Sequence, residues 1–201
     1  MRKRKHLAPI IVLIGIFTAG KTKIGKLLAR LLGWAFIDAD DLVLKASGFP
    51  TLQEASEKLS AEAFIELEGR VVREMIEGIT EPTIVAPGGS IVYNTEVMEL
   101  LRQRAFIIHL LSSLSTVLRR YAKRPDRGVV FKDCPPENTT EQNIVLVYAE
   151  RISMYEKWAR ETIRTDRDRP AIAGQLAKDI RRGKLHEQLV EMFGEFEREI
   201  M

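Results

Sequence analysis

The amino-acid sequence predicts an α/β fold in which helices cover both faces of a parallel sheet. Three observations support this class. Strand-like and helix-like hydrophobic patterns alternate along the chain, the first strand is apolar without polar alternation, and a glycine-rich turn joins that strand to an amphipathic helix. With 201 residues, 45% of them hydrophobic and 29% charged, the chain is long enough for one domain and too short for two typical ones. We therefore expect a single domain over residues 1–201.

Hydrophobic period and turn residues divide the chain into five strands and the helices between them. The predicted strands are residues 10–14, 34–37, 83–86, 105–111 and 162–165. The predicted helices are residues 23–32, a short helix opened by Thr51 and Glu54, residues 60–76, 95–102 and 144–159, a helix from Ser112, and a C-terminal helical extension over residues 170–201 that breaks near Gly183. Helices between successive strands allow the strands to run parallel.

The turn after the first strand reads GIFTAGKT, from Gly15 to Thr22, and fits the phosphate-binding pattern G-x-x-x-x-G-K-[ST]. Its two glycines let the backbone curl so that successive N–H groups face a phosphate, next to the positive end of the following helix. Lys21 is predicted to reach the β- and γ-phosphates of a nucleotide, and the Thr22 hydroxyl to bind Mg²⁺. The residues expected to contact the nucleotide here are Gly15, Thr18, Ala19, Gly20, Lys21, Thr22 and Lys23.

Two further features narrow the chemistry to phosphoryl transfer. Asp38 and Asp40 lie two residues apart at the end of the second predicted strand, where parallel strands point at a ligand crevice, so one can face a metal and the other an acceptor. Several arginines (Arg119, Arg120, Arg124 and Arg127) precede a stretch rich in Pro, Asn and Thr over residues 132–143. We interpret residues 120–143 as a mobile lid that carries arginines onto the phosphates, the alternative being a solvated helix face.

Composition excludes several other classes of protein. The net charge is +3, but residues 2–5 contribute +4 and the rest of the chain sums to −1, so a basic tail over residues 1–9 is expected and a nucleic-acid partner is not. Cys134 is the single cysteine, which excludes an intramolecular disulfide and a cysteine zinc cluster. No apolar run approaches the roughly 20 residues of a membrane span. We expect a cytoplasmic protein, monomeric or homodimeric.

These motifs, taken in order, resemble the shikimate kinase family over about residues 10–170. The matching segments are GIFTAGKTKIG at 15–25, FIDAD at 36–40, Gly48, Phe64 with Glu68, IVAPGGSIV at 84–92, Arg124-Pro125, and Arg151 to Tyr155 followed by Thr165-Asp166. The resemblance implies a three-layer P-loop NTPase fold like that of the nucleoside monophosphate kinases, with a five-stranded parallel sheet and a mobile lid. It also implies phosphorylation of shikimate to shikimate 3-phosphate by ATP, a reaction of aromatic amino acid biosynthesis.

The resemblance also implies roles for single residues. On the nucleotide side Lys21 polarises the phosphates, Thr22 and Asp38 bind the metal, and Arg124 is the lid arginine over the transferring phosphoryl group. Arg120 is expected to contact ATP, and either Arg167 or Arg169 to lie beside adenine. On the acceptor side Asp40 orients or deprotonates the attacking hydroxyl, the backbone of Gly88 and Gly89 borders the pocket, and Arg151 pairs with the acceptor carboxylate.

The chain departs from the family pattern at three positions. Thr18 replaces a glycine of the phosphate-binding loop, Ser90 replaces the third glycine of a Gly-Gly-Gly turn, and Ile65 stands where the family has an arginine that grips the acceptor carboxylate. No cation lies one helical turn from Ile65 to take that place. Two alternatives to a shikimate kinase therefore stay open: a diverged kinase for another small hydroxylated acid or polyol, and a non-catalytic nucleotide-binding protein.

Overall fold

A computed structural model describes residues 8–125, 128–134 and 138–193 and contains a five-stranded sheet in which every pairing is parallel. Along the chain the strands are β1 (Ile10–Ile14), β2 (Ala35–Asp38), β3 (Thr83–Ala86), β4 (Phe106–Leu111) and β5 (Glu161–Arg164). Their spatial order is β2-β3-β1-β4-β5. Ile11 of the central strand pairs with Ile84 on one side and with Phe106 on the other. The predicted α/β class and the parallel five-stranded sheet are therefore confirmed.

The described residues form nine α-helices, several of which begin at a side-chain cap. They are α1 (Lys21–Leu32), α2 (Ala39–Ser47), α3 (Leu52–Lys58), α4 (Ala61–Gly78), α5 (Thr95–Arg104), α6 (Leu114–Tyr121), α7 (Thr140–Trp158), α8 (Arg169–Arg182) and α9 (Lys184–Phe193). Thr51 and Ser60 each accept a hydrogen bond from the backbone N–H three residues on, which satisfies one free donor at the start of α3 and of α4. A short 3₁₀ helix covers Gly89–Tyr93.

The main hydrophobic core lies on both faces of the sheet. All residues of β1 and β3 are buried, and successive strand residues point to opposite faces, so helices must cover the sheet on both sides. A second, smaller cluster joins helices α2 to α4 to the segment 128–134 through Val43, Ala55, Phe64, Ile65, Val71 and Val130. No described helix combines the length and the apolar character needed to cross a membrane.

The structure corrects several predicted boundaries. Asp40 is not at a strand end, because Asp38 closes β2 and caps α2, a helix that the pattern did not predict, and Asp40 lies in its first turn. The loop predicted over residues 132–143 is shorter, because Thr139 and Gln142 form a reciprocal capping box that starts α7 at Thr140. The predicted break at Gly183 is confirmed. Residues 1–7 of the basic tail, Arg127 and residues 194–201 of the C-terminal extension lie outside the described residues.

Candidate active site

The phosphate-binding loop joins β1 to α1 in a conformation that depends on its glycines. Gly15 has φ 146° and Gly20 has φ 105°, and a Cβ on Gly15 would lie 2.6 Å from the carbonyl oxygen of Leu110. Lys21 is only 9% exposed, and its Nζ donates to the carbonyls of Gly15 (2.7 Å) and Ile16 (3.3 Å). Because the residue before α1 is Gly20, no side chain of that residue caps the first N–H groups of the helix.

A cavity of about 800 Å³ runs from this loop to the ends of β2 and β3. It brings together most of the predicted site residues, namely Thr18, Gly20, Lys21, Thr22, Lys23, Asp38, Asp40, Gly88, Gly89, Arg120, Arg124 and Arg151. Gly15 and Ala19 do not line it. Their contribution is to the loop itself, since the Gly15 carbonyl holds Lys21 and the Ala19 N–H donates to the carbonyl of Ile16 at 3.2 Å.

Glu68 of α4 is a wall residue of this cavity to which the sequence alone assigned no role. The side chain is 1% exposed, Ser90 Oγ donates to its Oε2 at 2.6 Å, and its Oε1 has no hydrogen-bond partner among the described residues. A Cβ on Gly88 would lie 2.2 Å from that Oε1 and 2.9 Å from Asp40 Oδ1, so the glycine leaves room for two carboxyl groups. The signal was available, because an acidic residue falls between Phe64 and Val71 on the apolar face of α4.

The environment of Glu68 shifts its titration strongly. Burial raises the pKa of Glu68 to about 7, and the nearby carboxyl group of Asp40 adds to the rise. The hydrogen bond from Ser90 and the positive charges of Arg151 and Lys21 act in the opposite direction. Near neutral pH this carboxyl group is therefore divided between its protonated and ionised forms.

Arg151 of α7 is a charged residue that is almost completely buried, with only 1% of its surface exposed. Its Nη2 donates to the carbonyl of Val130 at 2.5 Å, its Nε donates to the hydroxyl of Tyr93 at 3.3 Å, and its guanidinium lies over the Tyr93 ring. Tyr155, one turn later, donates to the carbonyl of Gly89 at 2.7 Å. These contacts fix a cation on the wall of the cavity beside Gly89.

Ile65, which stands where the family pattern has an arginine, packs in a hydrophobic cluster. Ile65 is 8% exposed and belongs to the small cluster that contains Phe64 and Val130. Ile65 does not line the cavity, whereas its neighbours Phe64 and Glu68 do. The position therefore helps to seat the segment 128–134 against α4.

Five basic side chains also line the cavity. Arg119, Arg120, Lys123 and Arg124 come from α6 and the turn after it, and Arg169 comes from the start of α8. Of the two arginines expected beside adenine, Arg169 lines the cavity and Arg167 does not. Arg169 Nε has no hydrogen-bond partner in the described part of the chain and lies 3.2 Å from where a Cβ on Gly20 would be.

His109 of β4 is fully buried, pairs with Ile14 of β1 and does not line the cavity. Both of its ring nitrogens lack hydrogen-bond partners among the described residues, and its ring packs against Tyr155 at 5.1 Å between centroids. Burial, together with the charge of Lys21, lowers the pKa of His109 to about 4. The residue is thus neutral at physiological pH, as a core histidine should be.

The described residues contain no group of three or more His, Cys, Asp or Glu side chains that could enclose a metal. Thr22 and Asp38 nevertheless place two oxygen donors on the wall of one cavity. Mg²⁺ keeps several water ligands and usually takes only one or two protein oxygens together with substrate phosphates. The donor set therefore fits a magnesium ion that arrives with a nucleotide.

A family model and curated relatives with similar sequences indicate one family. A family model described as shikimate kinase matches residues 17–181. A shikimate kinase of Thermodesulfovibrio yellowstonii is 32% identical over 149 residues, which are 73% of this chain and 80% of that protein. One of Marinomonas sp. is 28% identical over 176 residues, which are 87% of this chain and 93% of that protein.

Solved structures give the same result. The shikimate kinase from Acinetobacter baumannii in complex with shikimate matches with a TM-score of 0.76 and 27% identity, over 90% of this chain and 97% of that one. The shikimate kinase from Aquifex aeolicus matches with a TM-score of 0.67 over 88% of this chain and 98% of that one, and at 24% identity it supports the fold alone.

Proposed function

The chain belongs to the shikimate kinase family, and we propose that it transfers the γ-phosphoryl group of ATP to the 3-hydroxyl group of shikimate. One observation carries the proposal. A single cavity has the phosphate-binding loop with Lys21 and Thr22 at one end, and Asp40 with the buried cation of Arg151 at the other. Such a cavity can hold a nucleotide and a small hydroxylated acid in contact with each other.

The loop end of the cavity fits a nucleoside triphosphate. The positive φ angles of Gly15 and Gly20 form the curled backbone that a phosphate needs, and Lys21 supplies a fixed charge beside it. We expect the phosphates to lie against the residues from Thr18 to Lys23 that line the cavity. Thr22 and Asp38 would hold Mg²⁺, which when bound neutralises charge on the phosphate oxygens.

The acceptor end fits a small carboxylic acid with hydroxyl groups. Arg151 would pair with the carboxylate of the acceptor, in exchange for the Val130 carbonyl that its Nη2 now contacts. Asp40 would accept a hydrogen bond, and then the proton, from the attacking hydroxyl. The new bond joins this oxygen to the γ-phosphorus as the bond from phosphorus to the bridging oxygen of ADP breaks, so the proton on Asp40 balances the transfer.

Arg124 is the residue that we propose meets the charge of the transferring group. Its side chain is exposed and lines the cavity from the turn after α6. A cation that reaches the phosphoryl group when the lid closes stabilises the transition state and helps to exclude water, which would otherwise compete as acceptor. Lys21, Asp40 and Arg124 are therefore the proposed catalytic residues, with Gly88, Gly89 and Arg151 bordering the acceptor.

One observation favours a second acceptor class. Position 65 is apolar and buried, so the acceptor carboxylate has Arg151 as its cation on the described wall of this end of the cavity. A kinase of the same mechanism acting on another small hydroxylated acid would need no second cation. The two acceptor classes would differ in their affinity for the protein and not in mechanism, because the phosphoryl donor and the proposed base are the same.

A coupled ADP-release assay with purified full-length chain, ATP and Mg²⁺ tests the proposal. We expect shikimate to stimulate ADP release, and Lys21→Ala to abolish turnover with every acceptor because Lys21 serves the nucleotide. Stimulation by another hydroxy acid or sugar acid, but not by shikimate, would select the second acceptor class. ADP release that no acceptor stimulates would contradict the proposal and leave a nucleotide-binding protein without kinase activity.

The remaining expectations from the sequence belong to the same proposal. We expect one kinase domain in the cytoplasm, a monomer or homodimer with a small-molecule acceptor and no nucleic-acid partner. The lid would comprise about residues 120–143, of which the described part includes the end of α6, residues 128–134 and the first turn of α7.

A further inference from the structure

Thr18 has a backbone conformation that is unfavourable for a threonine. Its φ angle is 63°, in the left-handed region, where a β-branched residue is an outlier. Such strain persists only where surrounding contacts fix it, and it concentrates at ligand-binding turns. The side chain of Thr18 does not provide the fixing contact, because its Oγ1 is buried and has no hydrogen-bond partner among the described residues.

The peptide group that follows Thr18 is fixed at both of its ends. The N–H of Ala19 donates to the carbonyl of Ile16 at 3.2 Å, which closes a turn inside the loop. The carbonyl of Thr18 accepts a hydrogen bond at 3.1 Å from Nη1 of Arg120, a residue of α6. Rotating this peptide into an ordinary conformation would break both bonds, so the contact with Arg120 opposes relaxation of the strained residue.

Arg120 is itself anchored to the sheet. Its Nη1 also donates to Ser112 Oγ at 3.1 Å, and its Nη2 donates to the carbonyl of Thr165 at 2.9 Å. Ser112 follows β4 and Thr165 follows β5, both are fully buried, and their hydroxyl groups lie 2.6 Å apart. The guanidinium therefore connects the loop to the carboxyl ends of two strands, a geometry that the planar arginine fork allows and a lysine does not.

We propose that Arg120 is a positioning residue that holds the carbonyl of Thr18 and thereby keeps the phosphate-binding loop in the turn that receives ATP. The proposal rests on the proposed function only in that this loop binds ATP. The proposal explains why a threonine at position 18 occurs together with an arginine at position 120. A glycine at position 18 would adopt the left-handed turn without help, whereas a threonine requires the arginine.

A double-mutant cycle tests this proposal. The dissociation constant of ATP is measured by calorimetry, without acceptor, for the wild type, Arg120→Gln, Thr18→Gly and the double variant. We expect Arg120→Gln to weaken ATP binding about 10-fold, which corresponds to about 1.4 kcal/mol. In the Thr18→Gly background the same change should weaken binding less than about threefold, because the turn no longer depends on the arginine.

Arg119→Gln is the matched control, since it removes one positive charge from the neighbouring position of α6, and its side chain makes no bond to the loop within the described residues. Its effect on ATP binding should be the same in both backgrounds. If Arg120→Gln does not fold, Arg120→Lys takes its place in the cycle, because it keeps the charge but loses the fork. Thermal unfolding of each free variant confirms which proteins are folded.

The possible results separate the two proposals. Equal losses from Arg120→Gln in both backgrounds would mean that Arg120 acts by direct contact with phosphate, and would overturn the positioning role while leaving the kinase proposal intact. A wild-type chain that binds no ATP would instead refute the proposed function, and the positioning role with it.

Discussion

Glu68→Gln should make the folded protein more stable at alkaline pH and leave its stability at acid pH almost unchanged. The carboxyl group is buried beside Ser90, Asp40, Arg151 and Lys21, and its pKa rises from 4.5 to about 7. Between these values the folded state binds more protons than the unfolded state, so the free energy of unfolding falls as the pH increases. Each pKa unit corresponds to 1.36 kcal/mol, so the full effect is about 3 kcal/mol.

Urea unfolding at pH 4.5 and at pH 8 measures this effect. At pH 8 we expect Glu68→Gln to be more stable than the wild type by up to about 3 kcal/mol, which for a chain of this size is roughly 6 to 12 °C in Tm. Glu66→Gln, which removes an exposed carboxyl group from the same helix, is the matched control for this substitution. The reasoning fails if the difference between Glu68→Gln and the wild type is the same at pH 4.5 and pH 8.

Three further predictions concern the lid, the core and the acceptor pocket. Arg124→Ala should lower kcat far more than it weakens ATP binding, because the contact of Arg124 is proposed to form as the phosphoryl group transfers. Equal losses of kcat and of ATP affinity, from steady-state and binding measurements, would make it a contact of the ground state. The pKa of His109 is about 4 in the folded protein and 6.5 in the unfolded chain, so the free energy of unfolding of the wild type falls as the pH drops below 6.5. His109→Phe should therefore gain about 2 kcal/mol relative to the wild type between pH 7.5 and pH 5 in urea unfolding. A difference between variant and wild type that is the same at both pH values would disprove the shift. Ile65→Arg adds a long cationic side chain one turn from Glu68, a residue of the cavity wall, and should lower the KM for shikimate about 10-fold, with Ile65→Leu as control. A higher KM together with a lower Tm would show instead that the position serves to seat the segment 128–134.

The sheet and the loop were predictable because their signals are local. An uninterrupted apolar strand, a glycine turn and Lys21 with Thr22 all lie within thirteen residues, from Ile10 to Thr22. The structure has the strand where it was predicted, and the helix after the turn begins two residues earlier, at Lys21. Helix α2 was not predicted, because the acidic run from Asp38 to Asp41 looks like the end of a strand until Asp38 is seen to cap a helix. Local patterns therefore predict the order of the elements better than their boundaries.

The interior of the candidate site could not be predicted in the same way, because it depends on contacts between distant parts of the chain. The burial of Glu68 follows from Ser90 and Gly88, which belong to a different element. Arg120 was expected to contact ATP, yet its hydrogen bonds in the structure run to a carbonyl 102 positions earlier and to one 45 positions later. Sequence spacing does not reveal such pairs. The sequence therefore predicted several of the side chains that line the cavity, but not the hydrogen bonds that hold them there.

The central place of β1 has a consequence for how the protein is made. This strand is synthesised before the other four described strands, and its neighbours β3 and β4 begin only at Thr83 and Phe106. A fully apolar strand must therefore wait for its partners with both edges unpaired. The phosphate-binding loop waits longer still, because Arg120 connects it to Thr165, and Arg169 approaches Gly20 from α8. The loop therefore reaches the conformation described above only after the segments that contain Thr165 and Arg169 have been synthesised.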